Sequence, residues 1–298
     1  MPLAAIDDVT LDYEVHGEPD APAVLLVMGL GMPAAMWPDE FVRTLLDRGL
    51  RVVTFDNRDS GASTRLARLP VPNIGASMTR AMMGLRVTAP YSLTDMAIDA
   101  VAVLDAAGID RAHVVGASMG GMIAQVVAAL LPQRVATLTS IMSSSGNPAP
   151  RVAFGDMRAL QALMRPPPED PADIDAIVDH LMFVFSVIGS PGFAQDAAVL
   201  RPHLERVARR GLYRAGTARQ LAAILASGDR RPMLHNVEAP TLVIHGANDP
   251  LVPVAAGRDT ARHIRGATLE IIDGMGHDFP PALMTRIAAR VADHCLAT

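Results

Sequence analysis

The stretch HVVGASMGGMIAQ at residues 113–125 constrains the fold most strongly. An apolar run typical of a buried strand leads into it, and the apolar pattern of a buried helix follows Ser118. Gly116 and Gly120, two residues before and two after this serine, would let the strand and the helix pass closely. The stretch therefore predicts a strand, a tight turn and a helix, with the Ser118 side chain exposed at the end of the strand.

Two other segments repeat the tripeptide GAS without this context. GASTR at 61–65 and GASMT at 75–79 both lack the second glycine, and neither follows an apolar strand. Ser63 and Ser77 are therefore interpreted as ordinary loop serines. Among the three serines only Ser118 is a candidate nucleophile.

Short β-rich runs alternate with longer helical runs over most of the chain. AVLLVMG is fully apolar, as expected of a central parallel strand with helices on both faces, and AHVVG is a further strand candidate. Further strand candidates are TLDYEVHG at an edge, RVVTFD, ATLTSIM, PTLVIHG and TLEIID. Helical patterns cover Pro38–Arg48, Ser92–Ala107, Met119–Leu131 and the segment PALMTRIAARVADHCL. This alternation predicts an α/β fold with a mostly parallel central sheet.

The alternation is interrupted between residues 147 and 233. This segment has helical periodicity and Pro-rich joints, such as RPPPEDP at 165–171, and no convincing strand. This pattern predicts an α/β core formed by residues 1–146 and 234–298, with a helical cap inserted at 147–233. Such an insertion would lie over the carboxyl ends of the strands, where open α/β sheets bind ligands.

Composition excludes several functions. All 26 basic residues are Arg, the formal net charge is −5 and only 4% of residues are aromatic, so nucleic-acid binding has little support. The absence of Lys excludes Walker-type phosphate loops and Schiff-base chemistry. The single cysteine, Cys295, cannot form a disulfide within the chain.

The expected location in the cell follows from the charge of the N-terminal region and from the uncharged span at 114–133. The N-terminal region is acidic and lacks the basic start of a signal peptide. The uncharged span contains three glycines and reads better as a buried strand, turn and helix than as a membrane segment. We therefore expect a cytoplasmic protein with no membrane insertion, no metal and no cofactor, while the oligomeric state stays open.

A serine needs a base and an orienting acid to act as a nucleophile at neutral pH. Asp249 follows the strand pattern TLVI in HGANDPLVP, and His277 follows LEII in GMGHDFP. Both lie downstream of Ser118, in the order serine, acid, histidine that this fold uses. We predict a Ser118–His277–Asp249 triad, with His245 interpreted as structural.

A negatively charged oxygen formed during acyl transfer needs two backbone N–H donors. Met119, directly after the nucleophile at a helix N-terminus, is the first candidate. Leu30, in the loop MGLGMP after AVLLV, is the second. Gly29 and Gly31 would let this loop approach closely.

These motifs resemble those of the α/β-hydrolase superfamily over nearly the whole chain. VMGLGMPAAMW is similar to the oxyanion loop, with Met28 where many members have His, and TFDNRDSGAST to a structural turn of the family. HVVGASMGGMIAQ is similar to its nucleophile turn, and HGANDPLVP and GMGHDFP to its acid and histidine loops. Within the superfamily, WPDEF, FDNRDSGAST and AVAVLDAAGIDRAHVVGASMGG are similar to methylesterases of the aclacinomycin type, which remove a methyl ester from an anthracycline.

The resemblance implies a serine esterase that cleaves carboxylic esters, including methyl esters of bulky apolar substrates, through an acyl-enzyme. Its partner would be a small-molecule ester, bound partly by residues of the insertion. A lactonase or a cofactor-free perhydrolase of the haloperoxidase type would use the same triad, and a small-molecule receptor is a further alternative. The residues expected in the substrate pocket are Gly29, Gly31, Met36, Phe154, Met182, Phe183 and Phe185.

Overall fold

The computed structural model describes residues 2–153, 155–168, 170, 172–193 and 196–297. Eight strands form one sheet in the order β1-β2-β4-β3-β5-β6-β7-β8. The β1–β2 and β2–β4 pairs are antiparallel and all the others are parallel. The strands are β1 Leu3–Ile6, β2 Val9–His16, β3 Ala23–Val27, β4 Arg51–Phe55, β5 Ala112–Ala117, β6 Val135–Ile141, β7 Thr241–Gly246 and β8 Thr268–Ile272.

Helices cover both faces of this sheet, which explains why its central strand β3 is apolar throughout. All five residues of β3 are buried. Leu25 packs in one apolar cluster and Leu26 in the other. The helices are α1 Asp39–Asp47, α2 Ile74–Met82, α3 Leu93–Ala106, α4 Met119–Leu130, α5 Pro150–Ala153, α6 Met157–Met164, α7 Ile174–Ile188, α8 Ala197–Arg210, α9 Arg214–Ser227, α10 Arg231–Leu234, α11 Val254–His263 and α12 Pro281–Leu296.

The predicted fold class, a mostly parallel sheet flanked by helices, is confirmed. The helix predicted from Ser92 begins at Leu93, where Ser92 and Asp95 form a reciprocal capping box. Three elements were missed: β1, α2 and α11. The segment GASMT, predicted as a loop, lies in α2 because the Asn73 side chain caps that helix by accepting a hydrogen bond from the Ala76 N–H.

Six helices, α5 to α10, lie between β6 and β7, and the described residues of 147–233 include no strand. Two arginines of this segment form ion pairs with the turn after β4. The Arg219 guanidinium pairs with the Asp59 carboxylate at 2.8 Å, and neither side chain is exposed. Arg210 pairs with Asp56, also at 2.8 Å. The division of the chain at residues 147 and 233 stays a prediction.

The length and hydropathy of the helices bear on the expectation of no membrane insertion. Over the described parts of the chain, no helix is both long and apolar enough to cross a bilayer. The uncharged span at 114–133 is divided between β5, the turn at Ser118 and α4.

Candidate active site

Ser118 occupies the turn between β5 and α4 in a backbone conformation that side chains seldom adopt. Its φ is 55° and its ψ is −118°. Its backbone N–H donates to the Ile141 carbonyl oxygen of the neighbouring strand at 2.9 Å. A non-glycine residue at such an angle costs on the order of 1–3 kcal/mol, and this strain persists only where the surrounding structure imposes it.

The two glycines of the pattern allow this turn to form. A Cβ atom on Gly116 would lie 2.1 Å from the Gly120 carbonyl oxygen, and one on Gly120 would lie 1.9 Å from the Val27 carbonyl oxygen. Both distances are far inside van der Waals contact with backbone atoms that cannot move aside. Glycine is therefore required at both positions for β5, α4 and the end of β3 to approach this closely.

Ser118, His277 and Asp249 form a continuous hydrogen-bonded chain. The His277 Nε2 atom lies 3.0 Å from the Ser118 Oγ atom, and its Nδ1 atom lies 2.7 Å from Asp249 Oδ2. The other carboxylate oxygen of Asp249 accepts hydrogen bonds from the Leu251 and Val252 backbone N–H groups at 2.9 and 2.8 Å. The structure thus brings together the three side chains that the sequence analysis selected.

His245 lies beside this chain without joining it to the serine. Its Nε2 atom is 2.9 Å from the Val252 carbonyl oxygen and 3.6 Å from Asp249 Oδ2. Burial lowers the pKa of His245 below its ordinary value, which keeps the ring neutral near pH 7. These contacts fit the structural role expected from the sequence.

The loop after β3 passes directly over Ser118. A Cβ atom on Gly29 would lie 3.2 Å from the Ser118 Cβ atom, so a side chain here would crowd the serine by a few tenths of an ångström. No described residue accepts a hydrogen bond from the backbone N–H of Leu30 or of Met119. The two predicted oxyanion donors are therefore both free of protein partners.

Three side chains fix the shape of this loop, which we call the oxyanion loop (residues 28–34). Asn57 Nδ2 donates to the Met28 carbonyl oxygen at 3.0 Å. Gln220 of α9 accepts a hydrogen bond from the Gly31 N–H at 2.7 Å. Asp56 accepts one from the Ala34 N–H, also at 2.7 Å.

A mainly apolar cavity of about 260 Å³ opens in front of Ser118 and His277. Gly29, Met36 and Phe185, all three expected in the pocket, line it together with Leu30. The remaining lining residues are Met28, Met32, Ala117, Met122, Met142, Ala153, Leu163, Val184, Ile188, Leu221, Ile224, Leu251, Val252, Asp278 and Phe279.

Three expected pocket residues do not line this cavity. Phe183 is 41% exposed, and the Arg165 guanidinium lies 4.5 Å from the centre of its ring. Met182 packs against the apolar cluster that includes α12. Gly31 faces Thr217 of the insertion. The fourth, Phe154, lies outside the described residues.

The other two GAS serines have structural contacts. Ser63 Oγ donates to the Asp56 carbonyl oxygen at 2.6 Å and accepts a hydrogen bond from the Asp12 N–H at 2.9 Å. Ser77 is buried within α2. Among the described residues, neither hydroxyl forms a hydrogen bond with a histidine.

A family model described as alpha/beta hydrolase fold matches residues 22–177. The chain belongs to the alpha/beta hydrolase fold family. This membership and the relatives of the chain confirm three predictions: the resemblance to the α/β-hydrolase superfamily, the fold, and the class of enzyme, an ester hydrolase.

Several known proteins are similar to the chain along most of its length. A rhodomycin D methylesterase of Streptomyces peucetius is 31% identical, covering 100% of this chain and 99% of the relative. A 3-oxoadipate enol-lactonase of Acinetobacter baylyi is 29% identical, covering 89% of this chain and 86% of the relative. The crystal structure of an enol-lactonase from Burkholderia xenovorans covers 100% of both chains with a TM-score of 0.69, and at 24% identity it supports the fold.

Sequence reasoning missed the residues that hold the hydrolase site in shape. Ser190, after α7, accepts a hydrogen bond from the Gly276 N–H at 2.8 Å and donates one to the Asp278 carboxylate. The backbone N–H of His277 donates to the Ile188 carbonyl oxygen at 2.8 Å. Gln220 and Asn57 hold the oxyanion loop. No local signal marks these residues, because each acts on a loop that is distant in the sequence.

Within the described residues, no group of three or more His, Cys, Asp or Glu side chains is arranged to hold a metal ion. The expectation that the enzyme uses neither metal nor cofactor stays a prediction.

Proposed function

We propose that the protein hydrolyses carboxylic esters through a covalent acyl-enzyme on Ser118. The observation that carries this proposal is the hydrogen-bonded chain from Ser118 through His277 to Asp249, which ends in an apolar cavity. Each member contributes a property that the others lack: a nucleophilic oxygen, a base that accepts its proton, and an acid that fixes the base.

The first half of the reaction forms the acyl-enzyme. His277 Nε2 accepts the Ser118 hydroxyl proton while the serine oxygen attacks the ester carbonyl carbon. The Leu30 and Met119 N–H groups donate hydrogen bonds to the carbonyl oxygen as it becomes negative. Protonated His277 then donates its proton to the departing alcohol, and Asp249 stabilises the imidazolium in between.

The second half releases the acid. His277 accepts a proton from a water molecule, which attacks the acyl carbon, and the Ser118 oxygen leaves and recovers the proton from His277. Both halves use the same two N–H donors, because each passes through a tetrahedral intermediate.

The substrate class is proposed to be esters of bulky apolar acids, including methyl esters. Two observations support it: the thioether-rich lining of the cavity, and full-length similarity to rhodomycin D methylesterases. Methionine side chains adapt to varied apolar shapes. Lactone cleavage is the second candidate, favoured by similarity to an enol-lactonase, and it would proceed on the same residues.

The experiment compares two serines from matching GAS segments. Ser118→Ala should lower kcat for p-nitrophenyl acetate by about 10⁴-fold or more and abolish stoichiometric labelling by a fluorophosphonate. Ser77→Ala, which removes a hydroxyl outside the site, should keep both. Turnover and labelling that survive in Ser118→Ala would overturn the proposal, and a wild-type protein that binds esters without turnover would indicate a receptor.

A further inference from the structure

A second, larger cavity adjoins the one in front of Ser118. Its volume is about 700 Å³, and we call it the outer chamber. The catalytic cavity, at about 260 Å³, is smaller than the pockets of about 300–1,000 Å³ that hold typical small-molecule ligands, whereas the outer chamber falls within that range. The residues that line both cavities are Met122, Ala153, Ile224, Leu251 and Val252.

Helix α2 and the segment after it form an apolar outer wall. Met78, Met82 and Leu85 line the chamber, and Met82 and Leu85 are 68% and 47% exposed. Neighbouring Met83, also 68% exposed, extends this apolar surface. Exposed apolar side chains that are scattered singly are normal on protein surfaces, whereas a group of them beside a cavity indicates a binding surface.

The charge of the outer chamber differs from that of the chain as a whole. The formal net charge is −5, yet the described residues that line the chamber include no Asp or Glu and two arginines, Arg86 and Arg230. A third cavity, which shares Met36, Phe185 and Phe279 with the catalytic one, contrasts with the outer chamber. That cavity is lined by four acids, Asp39, Glu40, Asp196 and Asp278, with Arg43, Arg206 and His203.

Arg230 is the more unusual of the two chamber arginines. Only Arg219 and Arg230 are buried among the described arginines, and Arg219 is paired with Asp59. Arg230 instead donates to the Ser144 and Gly228 carbonyl oxygens and to the Ser227 hydroxyl. No described carboxylate lies within ion-pair distance of it. Burial lowers the pKa of Arg230 to about 10, so it remains positive at neutral pH.

We infer that the outer chamber binds the larger part of the ester, and that it selects apolar groups that are neutral or anionic over cationic ones. This inference rests on the proposed ester hydrolysis at Ser118. The small catalytic cavity would then hold the ester group itself, with Met122 and Ile224 forming the neck between the two spaces. A cationic substituent in the chamber would meet two positive guanidiniums, and no described residue that lines the chamber is a carboxylate.

The first test blocks the neck. Ile224→Trp should lower the ratio of kcat/KM for a bulky methyl ester, such as a methyl pyrenebutyrate, to kcat/KM for p-nitrophenyl acetate by at least tenfold. The matched control is Ile98→Trp, an exposed isoleucine on α3 that lines none of these cavities. Met78→Trp narrows the chamber from its outer wall and provides the same test should the neck variant fail to fold.

The second test measures charge selection. Two esters that differ only in a terminal trimethylammonium or tert-butyl group have nearly the same shape. The wild type should prefer the neutral ester by at least tenfold in kcat/KM, and Arg86→Glu, a change at an exposed position, should narrow that preference at least threefold.

The outcomes separate the two proposals. Equal use of both isosteric esters, or an unchanged size ratio in both tryptophan variants, would overturn the chamber assignment while acetate hydrolysis continued. A wild-type protein that cleaves neither acetate nor bulky esters would contradict the proposed function itself.

Discussion

Replacing Gln220 should impair catalysis even though its side chain lies outside the triad. The Gln220 side chain is fully buried in α9. Its side-chain Oε1 atom accepts a hydrogen bond from the Gly31 N–H at 2.7 Å, and its Nε2 atom donates to the Arg58 carbonyl oxygen at 2.8 Å. Gly31 follows Leu30, the proposed oxyanion donor, so the side chain links the inserted segment to the site that stabilises charge.

Gln220→Met keeps the length of the side chain but leaves two buried backbone groups without partners. Each orphaned group costs about 1–3 kcal/mol, so we expect a loss of roughly 3 kcal/mol in the free energy of unfolding. Removing an oxyanion donor outright costs on the order of 10²–10³-fold in kcat. Since Gln220 acts on the donor through Gly31, we expect a fall of about tenfold in kcat with a smaller change in KM.

The assay combines denaturant unfolding with steady-state hydrolysis of p-nitrophenyl acetate. Gln161→Met makes the same substitution at an exposed position of α6 and should change neither quantity. Gln220→Glu keeps an acceptor for the Gly31 N–H and should retain more kcat than Gln220→Met. A folded Gln220→Met enzyme with wild-type kcat would refute the reasoning, as would an equal loss of kcat in both Gln220 variants.

Two further predictions concern stability. Arg219→Met should lower the free energy of unfolding by about 3–5 kcal/mol because it leaves the buried Asp59 carboxylate without its cation, and adding Asp59→Asn should restore part of the loss in urea unfolding. Burial lowers the pKa of His113 to about 4 from its ordinary value of 6.5, so as pH falls from 6.5 to 4 the unfolded chain takes up a proton that the folded chain excludes. Stability from this group is therefore complete above pH 6.5 and lost towards pH 4. The urea midpoint of His113→Gln should fall less between pH 7.5 and 4.5 than that of the wild type, and parallel losses would contradict the assignment.

The fold and the meeting of Ser118, His277 and Asp249 were predictable because their signals are local. Gly116 and Gly120 are required by contacts within one strand–turn–helix unit, and Asp249 and His277 each follow a recognisable strand. Parallel strands bring their carboxyl ends to one edge, so sequence order alone places these side chains together.

The pocket was less predictable because the packing of the inserted helices depends on contacts distant in sequence. Met182 and Phe183 carry the same apolar pattern as Phe185, yet only Phe185 reaches the cavity. Periodicity identifies a helix with apolar residues but does not say which core it packs against. Helix α2 was missed for a related reason, since its cap at Asn73 follows a segment with no strand or helix pattern.

The segment that carries α5 to α10 begins and ends at nearly the same point of the structure. The Arg230 N–H donates to the Ser145 carbonyl oxygen at 2.9 Å, and a Cβ atom on Gly146 would lie 1.9 Å from the Gly228 carbonyl oxygen. A short linker could therefore join the two core pieces, and the segment is a natural unit for exchange between related enzymes. A chimera would nonetheless need to supply new cations for Asp56 and Asp59 and a new acceptor for Gly31, since the graft would otherwise strip the oxyanion loop of its support.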